Sequence, residues 1–75
     1  MSGRRVKRLA LATLKEEVAP AIFSTARVRH GGRHYRLTWT QHGRTIRIVF
    51  PTSPSDFRWF LNFRACVRRA VRCDA

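Results

Sequence analysis

Residues 26–50, ARVRHGGRHYRLTWTQHGRTIRIVF, hold two turn signals spaced so that one strand serves both. Gly31-Gly32 suits the two central positions of a tight hairpin loop, where φ is positive, and His42-Gly43 suits the same positions in a second. With those tips Val28 faces Tyr35 and Ala26 faces Leu37. In the second hairpin Trp39 faces Ile46, Leu37 faces Ile48 and Tyr35 faces Phe50. Both turns gather Val28, Tyr35, Leu37, Trp39, Ile46, Ile48 and Phe50 on one face. The other face carries Arg27, Arg29, His34, Arg36, Thr38, Thr40, Thr45, Arg47 and Val49. A slip of one residue would send each set to the wrong side. The prediction is a three-stranded antiparallel meander, apolar on one side and basic on the other, with strands over residues 25–30, 33–40 and 44–50.

Helices flank it. Over residues 4–19, Ala10, Leu11, Leu14 and Val18 share one arc, with Val6 at its edge and Leu9 outside it. Residues 1–3 are expected to fray. Pro20 ends this helix, and Ile22 and Phe23 are expected to plug one end of the core. Thr52-Ser53-Pro54-Ser55-Asp56 reads as a helix start, with Ser53 as N-cap, Pro54 first and Asp56 third. The second helix then spans residues 54–72. Trp59, Phe60, Phe63, Cys66, Val67, Ala70, Val71 and Cys73 fall on one broad arc, and Arg58, Arg64, Arg68, Arg69 and Arg72 on the other. Phe57 and Leu61 break the pattern. Trp59 lies at the stripe's edge, either partly exposed or in a homodimer contact. Two amphipathic helices and one apolar sheet face give an α+β fold of order α-β-β-β-α, both helices packed on that face. All 75 residues form one domain.

Charge narrows the partners. The chain has 16 Lys+Arg against 4 Asp+Glu, a formal net charge of +12. Such a surplus repels itself in a compact state, and a polyanion relieves it. Nucleic acid is the first expected partner, an acidic protein surface the second and an anionic membrane the third. All the basic residues except Lys7 and Lys15 are arginine. Arginine makes bidentate contacts with phosphate and stacks on bases, which favours RNA or DNA. A GC-rich genome would also raise arginine over lysine, but it does not account for the net charge. Arg4, Arg5, Lys7 and Arg8 crowd the positive end of the first helix. They form either a phosphate-contacting arm or a solvated one ahead of a helix that starts later.

Cys66 and Cys73 lie about 10 Å apart along a helix, too far for a disulfide. They read as small buried residues, or as a free thiol at Cys73. No apolar run reaches the roughly 20 residues of a membrane span, and residues 9–14 are too short for a signal peptide. A cytoplasmic protein without membrane partners is expected. His30 projects to the apolar side, His34 to the other, and His42 sits in the far turn. With no CxxC pair, neither a metal nor a cofactor is expected.

The α-β-β-β-α order with both helices on one sheet face resembles the double-stranded-RNA-binding domain. HicA-type toxin ribonucleases are a small version of that fold, with a Gly-Ser/Thr-His step entering the second strand. Gly32-Arg33-His34 resembles that step, with Arg33 in place of Ser or Thr, and the resemblance implies His34 as the catalytic residue. Duplex-RNA binders touch RNA through the first helix, a strand–strand loop and the start of the second helix. The resemblance therefore implies Arg4, Arg5, Lys7 and Arg8, a hairpin loop, then Ser53, Ser55 and Arg58. The stretch 32–72 is also similar to short basic phage and prophage proteins, through Gly-Arg-His, Thr-Ser-Pro-Ser-Asp, Asn62 and Val67-Arg68-Arg69. That similarity implies a phage origin, in a bacterial host cytoplasm.

Three functions follow as expectations. The first is a nucleic-acid-binding module, RNA rather than DNA, acting mainly through phosphate contacts and more a binder than an enzyme. Its contact residues are Arg4, Arg5, Lys7, Arg8, Arg27, Arg29, Arg36, Arg47, Arg58, Arg64, Arg68, Arg69 and Arg72. The second is a ribonuclease using His34, because histidine exchanges protons near neutral pH and arginines around it would hold phosphate. The third is a phage-encoded inhibitor that binds a host protein or ribonucleoprotein defence complex through an acidic or RNA-loaded surface.

Overall fold

A computed structural model describes residues 3–73, with side chains for residues 4–72. Its elements are α1 (Gly3–Glu17), α2 (Pro20–Phe23), β1 (Arg27–Gly31), β2 (His34–Gln41), β3 (Arg44–Pro51) and α3 (Arg58–Cys73). The strands form one antiparallel sheet in the order β1-β2-β3, so the architecture is the expected α-β-β-β-α. The first helix begins at Gly3, inside the stretch expected to fray, while Met1, Ser2 and Asp74 lie outside the described residues.

The second hairpin has the predicted register, with Trp39 opposite Ile46, Leu37 opposite Ile48 and Tyr35 opposite Phe50. His42 (φ 51°) and Gly43 (φ 77°) both adopt positive φ, as a type I′ turn demands. The first hairpin corrects the prediction. Val28 pairs with Leu37, His30 with Tyr35 and Gly31 with His34, so Gly32 and Arg33 form the tip. Only Gly32 has positive φ there, at 62°, the type II′ pattern in which one leading glycine suffices.

The reason lies further down the ladder. Thr25 sits opposite Thr40, and its Oγ1 accepts the Thr40 N–H at 2.9 Å and donates to Ile22 O at 2.7 Å. The threonine side chain thereby continues the ladder below β1 in the observed register. Because each Val28 partner moves by two residues, no side chain changes face.

The core gathers Val6, Ala10 and Leu14 from α1, Leu37 and Trp39 from β2, Phe50 from β3, and Trp59, Phe63 and Val67 from α3. On α1 the buried line is Val6–Ala10–Thr13–Leu14, with Leu9 packed against it rather than outside it. Buried Thr13 satisfies its hydroxyl by donating to Leu9 O at 2.8 Å. Ile22 and Phe23 do pack against the core, from the four-residue α2 that starts on Pro20, where a missing N–H costs nothing.

The last helix starts later than predicted. Ser53 and Pro54 precede it, and Asp56 Oδ1 accepts the Arg58 N–H at 2.9 Å. Thr52 is held instead by the first hairpin, donating both its N–H (3.1 Å) and its hydroxyl (3.0 Å) to Arg33 O. A segment tied to that carbonyl cannot begin winding at Pro54. Trp59 is core rather than edge, with 8% exposure, and stacks on Phe50 at 6.0 Å. Its Nε1 has no hydrogen-bond partner among the described residues. Cys66, expected to be buried, is exposed and free, and the Cys73 side chain lies outside the described set. Phe57 and Leu61 are each 51% exposed.

The glycines test the corrected turn. Gly32→Ala forces a β-carbon into the left-handed region and is expected to cost about 1–2 kcal/mol. Gly31 has ordinary φ, and an added β-carbon meets only His34 O at 4.0 Å. Gly31→Ala is therefore expected to be neutral or stabilising by up to about 1 kcal/mol. Urea midpoints of the two variants decide which glycine sits at the tip; equal losses would restore the Gly31-Gly32 turn.

Candidate nucleic-acid interface

The open face of the sheet follows from alternation along β2. Its outward residues are His34, Arg36, Thr38 and Thr40, and the pairing lays β1 and β3 beside them. One cross-strand row is Arg29–Arg36–Val49, and the next is Arg27–Thr38–Arg47. The rows stand two residues apart, roughly 7 Å along the strands, comparable to the interval between neighbouring phosphates in an extended chain. Arg27, Arg29, Arg36, Thr38, Thr45 and Arg47 line a broad shallow trough. A smaller concavity adjoins it at the first hairpin, lined by Arg29, His30, Gly31, His34, Tyr35, Arg36 and Val49.

Among the described residues no acid pairs with these arginines. Residues 18–55 contain no Asp or Glu, so the whole sheet is free of carboxylates. Arg29 stands directly opposite Arg36, an arrangement that destabilises an antiparallel pair. The acids serve elsewhere. Glu17 Oε1 accepts from Arg68 Nε at 2.9 Å, joining α1 to α3, and Asp56 caps α3.

Of the arginines predicted to contact phosphate, Arg27, Arg29, Arg36 and Arg47 come together on this one face. Arg4, Arg5, Lys7 and Arg8 are exposed on α1, and Arg58 opens α3. Arg64 lies over the Phe60 ring, 5.6 Å from its centroid, held against the protein as a cation–π partner. Arg68 is tied to Glu17, while Arg69 and Arg72 are exposed beside it. Ser53 and Ser55 precede α3 rather than capping it. His34 lies on the open face in the smaller concavity. His30 is on the core side, its ring 5.3 Å from that of Tyr35.

Thr38 and Thr45 are trough residues that a search for charge overlooks, although their parity beside Arg36 and Arg47 already places them there. Tyr35, Trp39 and Phe50 all point to the core side, so no Phe, Tyr or Trp ring occupies the open face. No family model matches the chain, and neither a curated protein nor a solved structure matches it.

If the Arg29–Arg36 pair is a cost to the free fold, Arg36→Thr is expected to stabilise the protein by about 0.2–1 kcal/mol at low salt. Screening is expected to shrink the gain at molar salt, where the Debye length falls to about 3 Å. Denaturation at the two ionic strengths checks both; a destabilised Arg36→Thr protein at low salt would show that the pair is not repulsive.

Proposed function

We propose that this chain is a small nucleic-acid-binding module that holds phosphate backbones, those of RNA first, on the open face of its sheet. One observation carries the proposal: a carboxylate-free trough with Arg27, Arg29, Arg36 and Arg47 on one surface, two of them in a repulsive cross-strand pair. A bound polyanion turns that repulsion into attraction. Guanidinium groups fit phosphate oxygens bidentately, and threonine hydroxyls between them add donors. The face has no Phe, Tyr or Trp platform for stacked bases, so contact is mainly to the backbone and weakly dependent on sequence. Kinship with double-stranded-RNA-binding and HicA-type domains, and a phage origin, remain proposals resting on element order and short motifs.

Gel-shift titrations over a range of salt test the proposal. Four arginines on four phosphates predict a slope of log affinity against log salt of about −3 to −4. Replacing Arg36 and Arg47 by alanine is expected to weaken binding similarly for unrelated sequences and to flatten the slope by about 1.5. No shift of RNA or DNA at low salt would sink the proposal, and an unchanged slope in the double variant would move the site off the sheet.

A ribonuclease is the second reading, favoured by the concavity that places His34 beside Arg29 and Arg36 on the open face. It predicts RNA cleavage by the purified protein, with His34→Ala removing cleavage and sparing binding. RNA left intact by the unaltered protein rejects it.

A further inference from the structure

The arginines of α3 form a second surface that the sheet trough does not reach. On this helix Trp59, Phe63 and Val67 are buried. At 3.6 residues per turn, Ala65 and Arg72 stand about 180–200° from Phe63, facing directly away from the core. Ala65, Arg68, Arg69 and Arg72 surround a shallow depression there, its floor left open by the small side chain of Ala65. The same reckoning turns Arg4, Arg8 and Lys15 of α1 outward, about 180–200° from Val6, and all three are exposed.

The two helices pack on the side of the sheet away from the trough. The outer surface of the helix layer and the open face of the sheet are therefore opposite sides of one thin body. The Cα extents are 34 × 20 × 17 Å, and the body between the faces is thicker than the Debye length of about 8 Å at physiological salt. Two polyanions on opposite sides would be screened from each other while each met its own arginines.

We infer that the helix layer is a second phosphate-binding face and that one molecule bridges two separate nucleic-acid segments, one on the sheet and one across α3 and α1. This inference rests on the proposed nucleic-acid binding. The second face is the less basic in net terms, because Glu16 and Glu17 lie on α1 and Glu17 holds Arg68. Arg69 and Arg72 carry it, and neither is in an ion pair among the described residues.

A sandwich capture tests it. A biotinylated RNA oligonucleotide is fixed to beads at low salt, the protein is added and washed, and a fluorescent RNA oligonucleotide of unrelated, non-complementary sequence follows. The unaltered protein is expected to retain the second strand. Arg69→Ala with Arg72→Ala is expected to lower that retention about tenfold, the loss for two phosphate contacts, while the protein still binds the beads. Lysine at both positions is expected to keep it. Arg29→Ala with Arg36→Ala is expected to lower retention likewise, by disabling the other side.

Protein held on the beads without the second strand overturns bridging and leaves nucleic-acid binding standing. Retention lost in only one of the two alanine pairs also overturns it, since two copies meeting through a single face would behave that way. Protein that never binds the beads overturns both readings.

Discussion

Alternation along β2, the strand with a neighbour on each side, decides where every other group can go. Tyr35, Leu37, Trp39 and Gln41 turn to the helices, and His34, Arg36, Thr38 and Thr40 turn away. Helices as short as α1 and α3 are marginal by themselves and need an apolar surface to pack on. Leu37 and Trp39 provide it, both essentially fully buried. Gln41 extends the same parity into a polar tie. Its Oε1 accepts the Trp39 Nε1–H at 2.7 Å, and its Nε2 points to Ala70 O of α3 at 3.5 Å. The buried indole N–H is thereby satisfied inside the fold, and the end of the sheet is joined to the last helix. A one-residue slip of β2 would strand both helices and place arginines in the core.

The same alternation sorts charge. A net charge of +12 on 75 residues opposes compaction, and two of the acids, Glu17 and Asp56, act where elements meet. Glu17 bonds Arg68 where α1 approaches α3, and Asp56 accepts the first N–H of α3. Phe60 takes up Arg64 through its ring. Each of these contacts lies in the helix layer or at its start. Among the described residues, Arg27, Arg29, Arg36 and Arg47 have no ion-pair partner to offset their repulsion. A fold that needed merely a polar outer face could alternate signs across the strands, as cross-strand pairs prefer. The absence of any acid over residues 18–55 is therefore a property of this face that stability does not account for.

Legibility in the sequence tracked how tightly local chemistry restricts each choice. His42-Gly43 admits one placement, because both residues must take positive φ, and the second hairpin matched residue for residue. Gly31-Gly32 admits two. A single glycine satisfies a type II′ loop, so the choice passed to Thr25 and its bonds to Thr40 and Ile22, which lie outside the turn motif. Face assignment survived because the two placements differ by an even number of residues. The start of α3 departs from the capping pattern for a similar reason. Ser53, Pro54 and Asp56 satisfy a capping pattern locally, but Thr52 answers to Arg33 across the sheet, and only the Asp56 carboxylate still caps. Cys66 lies at the boundary of a helical arc, where wheel geometry does not decide burial. Of the thirteen basic residues expected to contact phosphate, four meet on the trough, and strand parity alone selects them. The helical wheel already sets Arg68, Arg69 and Arg72 opposite the apolar arc, and the structure adds Ala65 between them.

The two basic sides are not equivalent, and the asymmetry has a direction. The sheet trough has fixed backbone geometry: Arg27, Arg29, Arg36 and Arg47 project from paired strands, so their spacing is set before any ligand arrives. The helix side has Glu16 and Glu17 among its cations and an arginine already held by one of them. A polyanion arriving there must compete with Glu17 for Arg68, a charge-assisted hydrogen bond of 2.9 Å. On the proposed reading the sheet fills first and the helix layer second, and salt removes the second segment before the first. Bridging would then depend on both ionic strength and protein concentration: excess protein coats nucleic acid through its sheet face, and scarce protein links two segments.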